Sequence, residues 1–145
     1  MTQEDKELLL KDLCARLPYH PIVHAEHDIF GLIETADLQV YGYEGTIKLL
    51  REDNETFCYL PIEECKPYLR PMSSMTDEEK KQYGELCDED IRQLTSVPIL
   101  HPGLKYKTSC HRSIIWLLEH QFDIMGLIPK GLAIEVTEEN NPYKD

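Results

Sequence analysis

Three histidines near the start of the chain, His20, His24 and His27, have side chains that could bind a metal ion, and Asp28 follows the third. Residues an even number apart on a strand share a face, so His20 and His24 would lie together and His27 opposite. Pro21 interrupts the backbone between the first two, and no recognised ligand spacing is matched. The sequence therefore predicts surface histidines, with neither a metal site nor a cofactor.

Cys110 and His111 form a second candidate, because a thiolate and an imidazole can act as nucleophile and base. Adjacent helical residues point about 100° apart, so His111 is badly placed to take the proton of Cys110. Cys110 also lies four residues before Ile114, on the apolar stripe of the predicted helix. A base from elsewhere in the chain would complete the pair, so a small hydrolase or transferase with a His/Cys site is the enzymatic alternative.

Acidic residues between positions 77 and 90 could supply paired carboxylates for hydrolysis. They are Asp77, Glu78, Glu79, Glu85, Asp88, Glu89 and Asp90. Such pairs need burial or close like charge to separate their pKa values, whereas these residues lie on and beyond a polar helix. We interpret them as a solvated surface. Phosphate-binding loops and the common hydrolase motifs are also missing from the sequence.

The formal net charge of −12, with a pI near 4.9, repels phosphate backbones and disfavours nucleic-acid binding. Two functions that use this charge stay open: the chain could bind a basic protein partner, or it could be an acidic inhibitor that mimics DNA. Tyr41, Tyr43, Phe57 and Tyr59 could stack bases, but no basic residues interleave with them as an RNA platform requires. Core and cross-strand packing explains these aromatic residues better.

The length of 145 residues fits a single domain, residues 1–145, with one core. No apolar run reaches the roughly 20 residues that span a bilayer, and the N-terminal MTQEDKELLL lacks the basic start of a secretory signal. The five cysteines include no CxxC pair, which fits free thiols in a reducing compartment. We therefore expect a cytoplasmic protein without a membrane segment.

Residues 2–17 predict a helix, with Thr2 as its N-cap and Asp5 completing a weak capping box. One apolar stripe follows the helix, and Asp12 falls outside it. The stripe consists of Leu9, Leu10, Leu13, Cys14 and Leu17. Its regular spacing predicts that this face, including Cys14 as a small apolar residue, belongs to the core.

From residue 22 to residue 61 the apolar period changes to two, which predicts an antiparallel meander. Four or five short strands are expected, over residues 22–27, 29–35, 38–43, 46–51 and 56–60, and the sheet could curl into a half-barrel. Asp37, Glu44-Gly45 and Asp53-Asn54 mark turns. In the 38–43 strand, Leu38 and Val40 face one way and the two tyrosines the other.

Residues 62–76 include Pro67 and Pro71, so we predict an extended connector that is neither a helix nor a central strand. Proline-fixed segments present side chains at low entropic cost, which makes Tyr68, Leu69 and Arg70 the candidate partner contact. Alternatively, Tyr68 and Leu69 pack on the sheet edge. Residues 73–76 supply caps for a polar helix over 77–86, and residues 87–106 are left unassigned.

Residues 107–136 form the most apolar region and contain Trp116, the single tryptophan. Helical spacing relates Ile114, Leu117, Leu118 and Phe122, with Thr108 or Ser109 as N-cap and Gly126 or Gly131 as stops. We expect this helix, over residues 107–121, and the N-terminal helix to cover one face of the sheet. The predicted fold is therefore α+β, a small antiparallel meander packed against an N-terminal and a C-terminal helix.

Three segments carry a family resemblance: MTQEDKELLLKDLCARLPY, IEECKPYLRPMSSMTDEEK and WLLEHQFDIMGLIPKGLAIE. In these segments the chain resembles a group of small uncharacterised proteins of phage-like and mobile elements in gut bacteria. The resemblance implies an accessory protein encoded by such an element, and it supplies no catalytic residues. We therefore expect a non-enzymatic cytoplasmic protein that binds another macromolecule.

Overall fold

The fold is α+β, as the sequence predicts. A mostly antiparallel sheet is combined with one helix at the N-terminus of the chain and two helices in its second half. A computed structural model describes residues 1–29, 32–51, 54–96 and 112–143. Its helices are α1 (Gln3–Arg16), α2 (Asp77–Ser96) and α3 (Arg112–Glu119), and its strands are β1 (Ile22–Ile29), β2 (Leu32–Tyr43), β3 (Ile47–Leu50), β4 (Phe57–Leu60), β5 (Cys65–Leu69) and β6 (Ile134–Glu135). The six strands of this described part have the order β4-β3-β2-β1-β5-β6 and do not close into a barrel.

Helix α1 begins as predicted, at a capping box. The Thr2 hydroxyl accepts the Asp5 N–H at 3.1 Å, and the Asp5 carboxylate accepts the Thr2 N–H at 3.3 Å. These two bonds satisfy backbone donors that the first helical turn leaves free. The capping box therefore fixes where the helix starts.

The buried side of α1 is not the purely apolar stripe that its sequence predicts. Leu9 and Leu13 are buried, but Asp12 and Arg16 are buried with them, whereas Cys14 is exposed. The placement of Asp12 outside the stripe and of Cys14 inside it was therefore wrong. The reason is that Asp12 and Arg16 lie four residues apart on one side of the helix and pair with each other there.

Strands β1 to β4 form the predicted antiparallel meander, which has four strands, the lower of the two numbers expected. Residues 32–35 and 38–43, expected in two separate strands, belong to the single long strand β2, whereas Ile29 ends β1 and residues 30 and 31 lie outside the described part. Asp37 is not near a turn but in the middle of β2, opposite His24 of β1. No glycine or proline lies between residues 32 and 41, so nothing there ends the extended backbone.

A β-bulge between Val40 and Gly42 changes which residues of β2 share a face. Val40 pairs with the buried Leu49, and Tyr43 pairs with the buried Ile47, so Tyr43 is in register with the core face. Tyr41 is the extra residue of the bulge and lies on the opposite, outer face. The prediction that Tyr41 and Tyr43 share a face was therefore wrong. Gly45, with φ of +79°, makes the turn to β3, as expected.

The segment 62–76 contains strand β5, which lies between β1 and β6 inside the sheet. The prediction of a connector without a central strand was therefore wrong. Pro67 pairs with Val23 of β1, but its nitrogen points away from β1, so no hydrogen bond to β1 is lost. The direction follows from Leu69, two residues later, whose carbonyl points the same way and accepts the Val136 N–H at 2.8 Å. The short β6 runs parallel to β5 and pairs only with Tyr68 and Leu69.

Helix α2 is capped by Thr76, within the predicted 73–76 range, through a capping box with Glu79. It continues to Ser96, past the predicted end at residue 86. The described part of α3 starts at Arg112, so the proposed caps Thr108 and Ser109 lie outside the described residues.

Helix α3, expected over residues 107–121, ends at Glu119, two residues before the expected end. Gln121 has φ of +60°, its N–H bonds the Leu118 carbonyl, and the Phe122 N–H bonds the Leu117 carbonyl. This is a Schellman ending, which a non-glycine residue rarely adopts. The possible stops at Gly126 and Gly131 are therefore not used by α3.

The core has two parts. Leu9 and Leu13 of α1 pack with the inner sheet residues Val23, Val40 and Leu49, and the segment 127–133 closes this cluster. A second cluster joins α3 to the region before and within α2. It contains Met75, Leu117 and Phe122, with Tyr83, Trp116 and Ile124 against it. Ile114, predicted on the buried stripe, is 47% exposed. Among the described helices, none has both the length and the apolar composition to cross a lipid bilayer.

Candidate functional site

The predicted partner contact, Tyr68 to Arg70, lies at the end of β5 and is largely covered. Leu69 is fully buried in the main core, and Tyr68 is 7% exposed, with its hydroxyl donating to the Asp37 carboxylate at 2.9 Å. Burial and this hydrogen bond raise the pKa of Tyr68 to about 12, so its phenol stays protonated. Arg70 alone of the three reaches a cavity.

Arg70 is held from three sides. Its two terminal nitrogens donate to the two carboxylate oxygens of Glu79 at 2.8 and 2.7 Å, and its guanidinium lies 4.2 Å from the ring centre of Phe122. Its backbone N–H and carbonyl bond Gln121 and Asp123 at 2.8 Å each. The hydrogen bonds from Arg70 lower the pKa of Glu79 to about 2. The charge of Arg70 is therefore neutralised within the protein.

An open cleft of about 650 Å³ lies where the segments that follow α1 and β5 meet the end of α3 and the C-terminal segment. It is lined by Tyr19, Arg70, Ser74, Glu119, His120, Gln121, Val136, Thr137, Glu138, Asn141 and Tyr143. Apart from Arg70, sequence reasoning selected none of these residues as a site. They come from four separate stretches of the chain, which are joined by hydrogen bonds from Arg70 to Gln121, from Gln121 to Tyr19 and from Tyr143 to Tyr68.

His120 and Gln121 follow α3 directly and line the cleft. The His120 ring stacks on Trp116 at 4.1 Å, and its Nδ1 lies 2.8 Å from the Trp116 carbonyl. A carbonyl can only accept, so Nδ1 carries a proton and donates it to the Trp116 carbonyl. Gln121 is 5% exposed, and its Oε1 has no hydrogen-bond partner among the described residues.

Tyr143 forms one wall of the cleft and is fixed by the backbone. Its hydroxyl accepts the Ile22 N–H and donates to the Tyr68 carbonyl, both at 3.0 Å. It thereby bridges β1 and β5 at the point where their pairing ends. Burial raises the pKa of Tyr143 to about 12, so this wall carries no charge.

His24 pairs with a carboxylate on the outer face of the sheet. Its Nδ1 is 2.9 Å from Asp37 Oδ1, which also accepts from Tyr68, and its Nε2 is 3.8 Å from Glu26. An imidazole beside a carboxylate is what the hydrolase alternative needs, but His24 lines neither of the two described cavities. The pair therefore lies on an open surface, without the enclosure that a catalytic base needs.

The two histidines whose side chains are described, His20 and His24, contact different partners and do not face a common point. His20 stacks on Tyr41, His24 pairs with Asp37, and the side chains of His27 and Asp28 lie outside the described part. Within the described residues, no three His, Cys, Asp or Glu side chains are close enough together to hold a metal ion. Cys110 and His111 lie outside the described residues, so their arrangement stays a prediction.

A row of aromatic side chains lies on the outer face across β2, β3 and β4. His20 stacks on Tyr41 with ring centres 4.2 Å apart, and Tyr41 meets Phe57 edge to face at 5.7 Å. Lys48 places its ammonium 4.3 Å from the Phe57 ring centre, and Tyr59 is the cross-strand neighbour of Lys48. We call these five residues the aromatic row.

The aromatic row is exposed, so the predicted packing in the core was wrong, whereas the predicted packing between strands is present in the contact of Tyr41 with Phe57. Tyr41 is 40%, Phe57 38% and Tyr59 53% exposed. A basic residue does interleave with them, since Lys48 lies over Phe57. The sequence pattern missed it because Lys48 belongs to β3, and only the pairing of β3 with β4 brings its side chain over the Phe57 ring.

No family model, curated protein or solved structure matches the chain. The function must therefore be inferred from the surfaces themselves, the aromatic row and the cleft.

Proposed function

We propose that this protein is a non-enzymatic binding protein and that its partner, a second protein, docks on the aromatic row. The observation that carries the proposal is the contiguous exposure of Tyr41, Phe57 and Tyr59 on one open sheet face. Aromatic side chains are enriched at protein interfaces and often dominate their binding energy. Isolated exposed apolar residues need no such explanation, but a stacked row of them does.

The row is also organised before any partner arrives. Tyr41 is held between His20 and Phe57, and the Lys48 ammonium is held over the Phe57 ring. Ordering a side chain at an interface costs about 0.5–1.5 kcal/mol for each one immobilised. Stacking within the row reduces that cost, because the rings already occupy defined positions.

Charge favours a basic partner protein. The chain carries a net charge of −12, and opposite charge on a partner speeds association and excludes acidic competitors. The same charge works against nucleic acid, because one lysine in the row does not offset the repulsion of a phosphate backbone. An accessory role in the cytoplasm, as the resemblance to mobile-element proteins implies, is compatible with this kind of binding.

The two alternatives are supported less well. A hydrolase or transferase would need a base such as His24 inside a cavity, and His24 lies on the open sheet face. A DNA-mimicking inhibitor would need carboxylates free along one face. Two acidic residues of α2 are instead paired with arginines, Glu79 with Arg70 and Glu89 with Arg112.

The test compares the parent protein with a Tyr41→Ser/Phe57→Ser variant as bait in the native host lysate. Met72→Ser/Ile114→Ser is the matched control, since Met72 and Ile114 are exposed apolar residues away from the row. Any protein retained by parent and control but lost from the row variant is then purified. Its binary affinity for all three chains is measured by calorimetry.

We expect the purified partner to bind the row variant at least about 100-fold more weakly than the parent, because central aromatic residues contribute about 2 kcal/mol or more each. The control should bind like the parent. Equal affinity of the partner for the parent and for the row variant would show that the aromatic row is not the docking surface. An unchanged circular dichroism spectrum of the row variant shows that lost binding is not lost folding.

A further inference from the structure

Strand β4 forms one edge of the described sheet, since it pairs with β3 and stands first in the strand order. Its residues, Phe57–Leu60, include neither a proline nor a charged side chain, the features that commonly keep an edge strand from pairing further. The opposite edge, β6, has only two residues. Of the two edges in the described sheet, β4 therefore offers the longer one to an incoming strand.

The pairing of β3 with β4 determines which main-chain groups lie at this edge. The Arg51 N–H donates to the Thr56 carbonyl at 2.9 Å, so these two residues are a hydrogen-bonded pair next to the β3–β4 register. Hydrogen-bonded and non-hydrogen-bonded pairs alternate along an antiparallel ladder. The main-chain groups of Cys58 therefore bond β3, whereas the N–H and C=O groups of Phe57 and Tyr59 point away from β3, to the edge.

The same two residues carry exposed rings of the aromatic row, Phe57 at 38% and Tyr59 at 53% exposure. Main-chain donors and acceptors that alternate along an edge are complementary to the backbone of another extended chain. A segment paired with β4 would place every second side chain on the outer face, beside these rings. The edge and the aromatic row are thus contiguous, and one extended segment can contact both.

We propose that the partner pairs an extended, basic segment of its chain with β4. The inference rests on the proposed docking at the aromatic row and specifies how the partner's main chain is held. A basic segment suits the net charge of −12, and its cations can lie over the Tyr59 ring as Lys48 lies over Phe57, 4.3 Å from the ring centre. In this binding mode, main-chain hydrogen bonds supply affinity and alternate side chains supply specificity.

Amide hydrogen exchange of the full chain, resolved by residue with NMR, tests the edge. In the free protein, the Phe57 and Tyr59 amides should exchange at least about tenfold faster than the Cys58 and Leu60 amides, which bond β3. The probe is a blocked octapeptide of alternating valine and arginine. Its titration should saturate and should slow exchange at Phe57 and Tyr59 selectively.

Two control peptides separate backbone pairing from charge. The same octapeptide N-methylated at every residue keeps its side chains but has no N–H groups for a ladder, so it should not slow the exchange. An octapeptide of alternating valine and glutamate can form a strand but carries the wrong charge, so it should bind more weakly than the arginine peptide.

A main-chain variant of the protein isolates one edge donor. Replacing Tyr59 by its α-hydroxy acid keeps the ring and removes the N–H that points away from β3. This variant should bind the arginine octapeptide about two- to tenfold more weakly, the factor that one hydrogen bond supplies. The matched control is the same replacement at Met72, an exposed residue outside the sheet, which should bind like the parent. Circular dichroism checks that both variants fold.

The inference fails if the octapeptide does not saturate or slows exchange evenly over the chain, or if either control peptide binds as tightly. It also fails if the Tyr59 and Met72 replacements weaken binding equally. Exchange at Phe57 and Tyr59 that slows as the protein concentration rises would assign the edge to a second copy of the chain, and so contradict the basic partner.

The partner assay separates this inference from the proposed docking. If Tyr41→Ser/Phe57→Ser loses the purified partner while the Tyr59 replacement binds it like the parent, the docking at the row holds and strand pairing at β4 is wrong. If the Tyr59 replacement weakens binding and the row variant does not, the edge is the contact and the docking on the row is wrong.

Discussion

Arg16 donates to both carboxylate oxygens of Asp12, at 2.7 and 3.0 Å, and both side chains are completely buried. The same guanidinium donates to the Phe122 carbonyl at 2.5 Å, which ties α1 to the residue that follows the α3 ending. Its remaining nitrogen, Nη1, has no partner among the described residues. One ion pair therefore connects the first helix to the cleft region.

Removing one member of this pair should be strongly destabilising. Asp12→Ala leaves Arg16 charged and buried, which costs about 3–5 kcal/mol of unfolding free energy. Lys11→Ala, an exposed neighbour, should cost under about 0.5 kcal/mol. Urea melts followed by Trp116 fluorescence measure both.

Replacing both members together is the sharper comparison. Asp12→Leu/Arg16→Met exchanges the ion pair for apolar side chains and should recover most of the stability that Asp12→Ala loses. An Asp12→Ala protein as stable as the parent would mean that water reaches Arg16 and that the ion pair is not shielded from solvent.

Glu79 should make the free energy of unfolding depend on pH in the acidic range. Its folded pKa of about 2 lies below the ordinary 4.5, so the ionised carboxylate stabilises the fold above pH 4.5. That contribution is lost as the pH falls from 4.5 through about 2, because the proton removes the charge that Arg70 binds.

Glu79→Gln isolates this effect, since the amide cannot titrate. The parent should be more stable than Glu79→Gln at about pH 7, and the difference should shrink towards zero as the pH approaches about 2. Urea melts at several pH values give the two curves. A difference that stays constant with pH would show that Arg70 does not bind the ionised form preferentially.

Helix α3 should divide sharply into residues that matter for stability and residues that do not. Leu117→Ala and Leu118→Ala should each cost about 2–5 kcal/mol, because both side chains are buried and truncation leaves a cavity. Ile114→Ala, three residues earlier and 47% exposed, should cost under about 1 kcal/mol. Glu139→Ala in the tail should cost under about 0.5 kcal/mol. If Leu117→Ala and Ile114→Ala melted alike, α3 would be peripheral to the core.

Cys65 should be unreactive until the protein unfolds. It is fully buried, and burial raises its pKa to about 12, so almost no thiolate forms at neutral pH. Titration with a thiol reagent should find five thiols in denaturant, if all five cysteines are reduced as predicted. Cys65→Ala should lower that count by one and leave the native count unchanged. A fall in the native count would place Cys65 at the surface.

The parts of the fold that local pattern determines were predictable. Thr2 with Asp5, the period-two run of β2 to β4 and the cap at Thr76 are signals within a few residues of each other. Strand β5 was missed because Pro67 reads as a breaker, and only the pairing with Val23 shows that its nitrogen faces away from β1. Strand β6 has two residues, too few for any period.

The candidate site was less predictable, because its residues are neighbours only in space. Asp12 and Arg16 carried an i, i+4 signal that could have been read as a buried pair. The approach of Gln121, Tyr143 and Arg70 follows from how α3 ends and how the tail returns to β5, and no local pattern encodes either. Lys48 joined the aromatic row for the same reason.

The contact of Arg16 with Phe122 spans 106 residues, and that of Ile22 with Tyr143 spans 121. At a synthesis rate of about 5–20 residues per second, Arg16 is made roughly 5–20 s before Phe122. The β1–β4 meander, whose strands pair with their neighbours in the chain, can form during that interval. Its inner face then lacks residues 127–133, and the charge of Asp12 and Arg16 lacks its third partner. The nascent chain therefore presents an incomplete apolar face for seconds, the interval in which chaperone binding and aggregation compete for it.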